Sequence, residues 1–279
     1  MRIQGMPRKA VGKERKVQVD TYLHLDNLVI ETTRRCNMSC AHCLRGPAEN
    51  MDMDMERLRE FFSHVKRVNM LTLSGGEPSL NVAGLRALLN LCEELDVTVY
   101  DFFIATNGKE VTPDFLHVIL DWDMFTVSNG GGDVNALALS SDIFHEEIPY
   151  ENKSLLERLT IFNDEDKRNG SYKRGLLNEG RAEELSNSTY SKQELLDEAL
   201  NVEYAFDDED VLLVDGTVYI SADGKILNTC DCSYMHQAMY QIGHTDDMQG
   251  FIRSLEERVA HDESVVQELL EMLESKEPA

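Results

Sequence analysis

The chain has few cysteines, few aromatic residues and no long apolar run. Six cysteines in 279 residues are too sparse for a disulfide scaffold. No segment approaches the run of about eighteen apolar residues that spans a membrane, and the N-terminus lacks the apolar core of a signal peptide. These absences predict a cytoplasmic protein whose clustered cysteines serve metal binding or catalysis.

Basic residues are also scarce. Lysine and arginine total 27 against 51 acidic residues, which gives a formal net charge of −24. Residues 1–20 carry +4 and are expected to form a flexible basic arm, so the remaining chain carries −28. This acidity disfavours nucleic acid and membrane surfaces as partners and favours a basic partner such as a peptide. Alternatively, the acidity serves only to keep the protein soluble.

Predicted strands and helices alternate from residue 27 onward, which indicates a parallel sheet. Strands are expected at residues 28–33, 70–73, 97–105, 136–139 and near Leu176. The helices between them are expected at residues 54–68, 85–95, 113–120 and 155–161. Beyond residue 187 the pattern changes to a hairpin over residues 211–228 and an acidic amphipathic helix over residues 247–274.

Cys36, Cys40 and Cys43 lie in one loop after the first predicted strand, in a C-x3-C-x2-C pattern. Three thiolates can hold three irons of a cubane cluster and leave the fourth iron open to a substrate. The alternative is a structural zinc site completed by His42 or by a distant cysteine, although zinc usually takes paired C-x2-C units. The competing class is a non-enzymatic interaction protein in which zinc or an iron–sulfur cluster only holds this loop together.

A second motif, Gly75-Gly76-Glu77-Pro78, ends the second predicted strand at the same edge as the cysteine loop. Glycines there let the backbone approach a ligand, and Glu77 offers an anion to an ammonium group. With the cysteine motif about thirty residues upstream and Thr106-Asn107-Gly108 downstream, residues 27–185 resemble the radical S-adenosylmethionine (radical SAM) superfamily.

This resemblance implies a fold, two cofactors and a reaction. The fold is α/β, a partial (β/α)6 TIM-type barrel over residues 21–186 with a small α+β appendage over residues 187–279. In the family, SAM chelates the open iron of a [4Fe-4S] cluster, and one electron cleaves its sulfonium to methionine and a 5′-deoxyadenosyl radical. A reductant such as flavodoxin or ferredoxin would supply the electron.

The resemblance also implies roles for individual residues, and it assigns none to a catalytic group. Cys36, Cys40 and Cys43 match the cluster ligands. The residues expected to contact SAM are His42, Gly75, Gly76, Glu77, Pro78, Thr106, Asn107, Ser140, Asp142 and Arg181. Five of these residues also have an ordinary structural explanation. His42 could be a loop filler, and Thr106 and Asn107 could form part of an Asn-Gly turn. Asp142 could be a helix N-cap and Arg181 a surface arginine.

The C-terminal part looks like a degenerate version of the SPASM extension, which in that family binds auxiliary clusters through many cysteines. Here only Cys230 and Cys232 are present, so we interpret them as structural thiols, with a substrate or thiol role as the alternative. The substrate is not identified by the sequence. A peptide or protein is the first hypothesis and a small molecule the second.

Overall fold

The computed structural model describes residues 21–163, 176–185, 188–190, 200–205 and 211–274. The predicted basic arm at residues 1–20 lies outside these residues. No helix within the described ranges has the length and apolarity needed to cross a membrane.

Eleven strands and five α-helices are described. The strands are β1 (Tyr22–Glu31), β2 (Val65–Ser74), β3 (Thr98–Thr106), β4 (Ala136–Leu139), β5 (Phe162–Asn163), β6 (Leu176–Leu177), β7 (Ser188–Tyr190), β8 (Asn201–Tyr204), β9 (Val211–Ile220), β10 (Lys225–Leu227) and β11 (Gln241–His244). The helices are α1 (Met55–Ser63), α2 (Val82–Glu94), α3 (Pro113–Ser128), α4 (Tyr150–Leu156) and α5 (Met248–Glu274).

Nine of these strands form one sheet in the order β11-β10-β9-β1-β2-β3-β4-β5, with β8 paired to β9 as well. The strands from β9 through β5 in this order run parallel, while β8, β10 and β11 add antiparallel pairs. In the described part of the chain β5 and β11 each pair with a neighbour on one side only, so the sheet does not close. The predicted α/β fold with an open, partial barrel is confirmed.

The parallel register brings the carboxyl ends of the central strands to one edge of the sheet. Glu31 pairs with Ser74, and Thr106 of β3 pairs with Leu139 of β4. The loops after β1 to β4 therefore lie side by side, and these are the loops that carry the sequence motifs. In open parallel sheets this edge is where ligands bind.

The helices pack an apolar core against this sheet. Asp54 caps α1, since its side chain accepts a hydrogen bond of 2.9 Å from the Glu56 backbone N–H. Phe61, Phe62 and Trp122 are fully buried, and the indole N–H of Trp122 donates to the Leu85 carbonyl at 3.3 Å. This packing makes the sheet a rigid platform for the loops at its edge.

The first and third predicted helices end at other residues in the structure. Val65 and Val68 were expected on the first helix, but they lie in β2 because the helix ends at Ser63. Both valines are buried, so their spacing fits either element, and their β-branched side chains favour an extended chain. The third helix continues to Ser128, beyond the predicted end at residue 120.

A strand lies at Leu176 as predicted, but it is not the fifth strand of the main sheet. Leu176 and Leu177 form β6, which pairs with β7 in a separate two-stranded sheet. The main sheet instead ends with Phe162–Asn163, whose Phe162 pairs with Leu137 of β4. The helix before it is Tyr150–Leu156, earlier than residues 155–161. A strand of two residues has no alternating pattern that the sequence could reveal.

The C-terminal part joins the main sheet. Strand β9 pairs in parallel with β1 from Tyr22 to Ile30, and β10 folds back on β9 as the predicted hairpin. Ile252 and Leu255 of α5 belong to the same apolar core as β1 and β2. The domain boundary at residue 187 stays a prediction, but the strands beyond it are neighbours of the first strand.

Residues 21–186 expressed alone are therefore expected to aggregate. Without β9, the edge of β1 exposes a row of unpaired backbone groups, and unpaired edge strands template association. Size-exclusion chromatography and binding of a dye for exposed apolar surface test this, with the full chain as the control. A monomeric fragment that unfolds cooperatively would show that the C-terminal part is an independent appendage.

Candidate functional site

A cavity of about 300 Å³ opens at the carboxyl edge of β1 to β4. Its walls combine the cysteine loop, the Gly-Gly-Glu-Pro loop and the ends of β3 and β4. Eleven of the thirteen predicted site residues line it: Cys36, Cys40, His42, Cys43, Gly75, Gly76, Glu77, Pro78, Asn107, Ser140 and Arg181. The other two, Thr106 and Asp142, are not in its lining.

The Gly-Gly-Glu-Pro loop is fastened to the start of the cysteine loop. The Gly76 N–H donates to the Thr33 carbonyl at 2.7 Å, and the Glu77 N–H donates to the Arg35 carbonyl at 2.8 Å. A Cβ atom added to Gly75 or Gly76 would lie 2.5 Å from one of these two carbonyl oxygens. The two glycines are thus required because the two loops approach each other backbone to backbone.

The Gly180-Arg181 pair is fastened to the other end of the cysteine loop. The Arg181 N–H donates to the Cys43 carbonyl at 3.0 Å, and a Cβ atom on Gly180 would lie 2.3 Å from the Leu44 carbonyl oxygen. Gly180 also has a φ of +60°, which glycine adopts without strain. This arrangement places the guanidinium of Arg181 on the cavity wall, where its Nε is buried without a hydrogen-bond partner among the described residues.

The three cysteines are half-buried free thiols whose charges influence one another. Burial raises the pKa of Cys36 and Cys40, the neighbouring thiol of Cys43 raises both further, and Arg181 acts in the opposite direction. The amide Nδ2 of Asn107 lies 3.9 Å from the Cys36 sulfur and donates to the side chain of Asn37 at 2.8 Å. The end of β3 thereby holds the cysteine loop in place.

Glu77 is almost completely buried, with 1% of its surface exposed. Its carboxylate accepts hydrogen bonds from the Ser79 N–H at 3.0 Å, the Thr106 hydroxyl at 2.8 Å and the Asn107 N–H at 2.7 Å. Burial raises the pKa of Glu77, whereas these hydrogen bonds lower it. A carboxylate has about four acceptor positions, so about one remains for a ligand. Thr106 therefore acts on the cavity through Glu77.

Asp142 acts in a similar way through two histidines. Its carboxylate lies 3.2 Å from Nε2 of His42 and 2.8 Å from Nδ1 of His145, and both imidazoles line the cavity. His42 also stacks on Phe144 with a centroid separation of 4.9 Å. Burial lowers the pKa of His42, which favours the neutral ring. The ring Nδ1 of His42 is buried without a partner among the described residues.

Three groups of side chains could hold a metal. The first is the trio of cysteine thiols. The second is His42, Asp142 and His145, whose donor atoms lie within 4.8 Å of one another. The third is Glu179, Glu183 and His236, which meet the same distance limit but do not line the cavity. In the second group the carboxylate is already shared by the two imidazoles, so these residues form a hydrogen-bonded unit on their own.

Arg45 and His145 line the cavity although neither was predicted as a site residue. The Nη1 of Arg45 donates to the backbone carbonyls of Cys230 at 2.6 Å and Cys232 at 2.7 Å. These two cysteines are not in the cavity lining. An arginine two positions after the third cysteine was visible in the sequence, but its distant carbonyl partners were not.

A buried polar network beside the cavity was also missed. Glu31, fully buried at the end of β1, accepts hydrogen bonds from Arg34 at 2.5 Å, from Gln237 at 2.8 Å and from the Tyr219 hydroxyl. Arg34 in turn donates to Gln237 at 2.6 Å and to Asp223 at 3.1 Å. This network fastens the C-terminal part to the first residues of the cysteine loop.

Residues 30–160 match the model of the Radical SAM superfamily. The Bacillus subtilis (strain 168) protein YfkA is 26% identical over 131 residues, which cover 39% of this chain and 34% of YfkA. An uncharacterized Methanocaldococcus jannaschii protein is 25% identical over 116 residues, covering 40% of this chain and 41% of that protein. The matched parts therefore span about a third to two fifths of these relatives.

A solved structure described as native anSMEcpe with bound AdoMet and Kp18Cys peptide has a similar fold. Its TM-score is 0.51 at 13% sequence identity, and the superposition covers 85% of this chain and 83% of that chain. This likeness supports the open α/β barrel. The family match over residues 30–160 bears out the resemblance drawn from the cysteine and Gly-Gly-Glu-Pro motifs.

Glu77→Gln should lower the free energy of unfolding by about 1–3 kcal/mol, the cost of a buried polar group without its partner. A glutamine amide places an NH2 group against one of the three donors that now meet a carboxylate oxygen. Urea unfolding of the metal-free protein measures this change.

Glu94→Gln is the matched control for Glu77→Gln. Glu94 is an exposed carboxylate that pairs with Arg59 at 2.7 Å, and such exposed pairs contribute little to stability. Equal stability of the Glu77→Gln variant and the unaltered protein would contradict the role of Glu77 as the organiser of this loop.

Proposed function

We propose, from the match of residues 30–160 to the Radical SAM superfamily model, that the chain binds one [4Fe-4S] cluster through Cys36, Cys40 and Cys43, with SAM beside the cluster in the same cavity. The enzyme would then modify its substrate by radical chemistry. The observation that carries this proposal is that three thiols open onto one cavity together with the Gly-Gly-Glu-Pro loop and the guanidinium of Arg181.

The residues present fit such a cluster. Three half-buried thiols share one loop, and no further cysteine among the described residues lines the cavity. Three thiolates leave one iron of a cubane without a protein ligand. A structural zinc site is normally closed by four protein ligands. The open cavity next to the thiols therefore favours the cluster over a structural zinc site.

The cavity also offers complementary groups for SAM. Arg181 presents a guanidinium whose Nε is buried and has no hydrogen-bond partner within the described ranges, which suits a carboxylate. Glu77 retains about one acceptor position for an ammonium group. The solved anSMEcpe structure contains AdoMet, and we extend that ligand to this chain. Thr106 and Asp142 contribute as positioning residues through Glu77 and His42.

Cys36, Cys40 and Cys43 would hold the cluster, which when bound would supply the one-electron reduction of SAM on which radical chemistry at the substrate depends. The chain's own contribution is to orient and shield these components. Met38, Leu44 and Phe103 give the cavity an apolar wall that excludes water. A reductant such as flavodoxin or ferredoxin is the proposed electron source, and free thiols suit the reducing cytoplasm.

A peptide or protein is the proposed substrate class. The solved structure of similar fold contains a peptide, and the chain's net charge of −24 favours basic partners over nucleic acid or a membrane surface. A small molecule is the second candidate, since the cavity volume of about 300 Å³ is typical of small-ligand sites.

The metal content after anaerobic reconstitution tests the cluster. The unaltered chain should bind about four iron and four sulfide ions. Cys36→Ala, Cys40→Ala and Cys43→Ala should each lose the brown absorbance because each removes a cluster ligand. Cys230→Ala and Cys92→Ala should keep it, since neither thiol lines the cavity.

The metal analysis could also give two other results. Zinc in place of iron and sulfide would support the alternative of a metal-stapled interaction protein. A Cys40→Ala variant with a complete cluster would remove the cysteine loop as the binding site. Either result would contradict the proposed function.

A further inference from the structure

Arg45 occupies an unusual position in the cavity wall. It follows Cys43 by two residues and lines the same cavity as the three thiols. Its guanidinium lies over the ring of Tyr219, 4.8 Å from the ring centroid, and donates to the carbonyls of Cys230 and Cys232 at 2.6 and 2.7 Å. The Arg45 carbonyl accepts the Tyr234 N–H at 3.1 Å. The side chain is thus held by the segment of residues 230–234.

No carboxylate in the described part of the chain lies within ion-pair distance of Arg45. The nearby carboxylate of Glu31 acts on its charge, but both Glu31 oxygens already accept hydrogen bonds from Arg34, Tyr219 and Gln237. Carbonyl oxygens and an aromatic ring attract a cation without neutralising it. Because Arg45 is half-buried and lines the cavity, its guanidinium can interact with an anion bound there.

The cluster assigned above is such an anion. A [4Fe-4S] core ligated by three thiolates is net negative, and reduction adds a further negative charge. The reduction potential of such clusters depends on nearby charge, and a fixed cation stabilises the more negative, reduced state. A guanidinium on the wall beside Cys43 would therefore make the cluster easier to reduce.

We propose that Arg45 is the counter-ion of the cluster and that the segment of residues 230–234 holds its guanidinium in place; this inference rests on the cluster of the proposed function. In the Cys-x-Cys sequence, the backbone carbonyls of Cys230 and Cys232, and not their thiols, would then bind the guanidinium of Arg45. The segment is itself anchored, since the Ser233 N–H donates to the buried carboxylate of Glu179 at 2.9 Å.

Three variants of the reconstituted full chain test the proposal. Arg45→Gln removes the charge, Arg45→Lys keeps it but loses the planar fork, and Arg57→Gln is the matched control. Arg57 also donates to a C-terminal backbone carbonyl, that of Asp223 at 2.7 Å, but it does not line the cavity. The readouts are iron and sulfide content, the cluster midpoint potential from a titration followed by electron paramagnetic resonance, and amide exchange at residues 230–234.

Arg45→Gln is expected to retain the cluster and to shift its potential to more negative values, with the equilibrium constant for reduction lowered about threefold or more. Arg45→Lys should keep the potential of the unaltered protein, while amide exchange at residues 230–234 becomes faster. Arg57→Gln should change neither the potential nor this exchange.

A fully loaded Arg45→Gln protein with an unchanged potential would overturn the counter-ion role. Unchanged amide exchange at residues 230–234 in Arg45→Lys would contradict the proposal that this segment holds the guanidinium. If Arg45→Gln does not fold, Arg45→Lys tests the counter-ion role instead. A cluster potential of Arg45→Lys below that of Arg57→Gln would show that the charge at position 45 does not set the potential. An unaltered chain that binds no iron and sulfide would instead refute the proposed function, which is a separate result.

Discussion

The arrangement of the site depends on the interactions of one buried carboxylate, that of Glu31. It ends the first strand and binds Arg34 from the cysteine loop, Tyr219 from β9 and Gln237 from the C-terminal part. A buried charge is tolerated only when it is paired and its remaining acceptor positions are satisfied. Removing one partner of such a pair typically costs about 3–5 kcal/mol. The three segments are therefore held together by one charge that none of them could bury alone.

Close backbone contacts extend this constraint to the cavity. The glycines at positions 75 and 76 let one loop hydrogen-bond to Thr33 and Arg35, next to the residue that pairs with Glu31. At the other end of the cysteine loop, Gly180 permits the contact with Leu44. The cysteine loop is thus held at both ends, so its three thiols face one cavity without a disulfide or a covering helix. Preorganisation of this kind is what a site for a bound cofactor requires.

Much of the fold and most of the cavity lining could be predicted from the sequence, for physical reasons. The short strand at residues 136–139 and the long, strongly patterned final helix were both predicted within a residue or two. Residues in motif loops were predicted because the carboxyl ends of parallel strands meet at one edge. The two-residue strand β5 could not be predicted, because it is too short to show a period.

Contacts between distant segments were beyond the sequence. Arg34 and Gln237 are 203 positions apart, and nothing in a single sequence indicates that they meet. The same holds for Arg45 and the carbonyls of residues 230 and 232. Thr106 and Asp142 were placed in the cavity because they lie in motif loops, yet their side chains turn to Glu77 and His42. The sequence indicated the correct loops, but it did not indicate which way each side chain points.

The most direct test of the central claim, that this cavity brings a cluster and SAM together, is product formation without any added substrate. Anaerobic, reconstituted protein is incubated with dithionite and SAM, and 5′-deoxyadenosine and methionine are quantified by chromatography. We expect slow release of both products, because all the residues proposed to bind the cluster and SAM belong to this chain. A protein with a full cluster that forms no more 5′-deoxyadenosine than its Cys36→Ala variant would contradict the account.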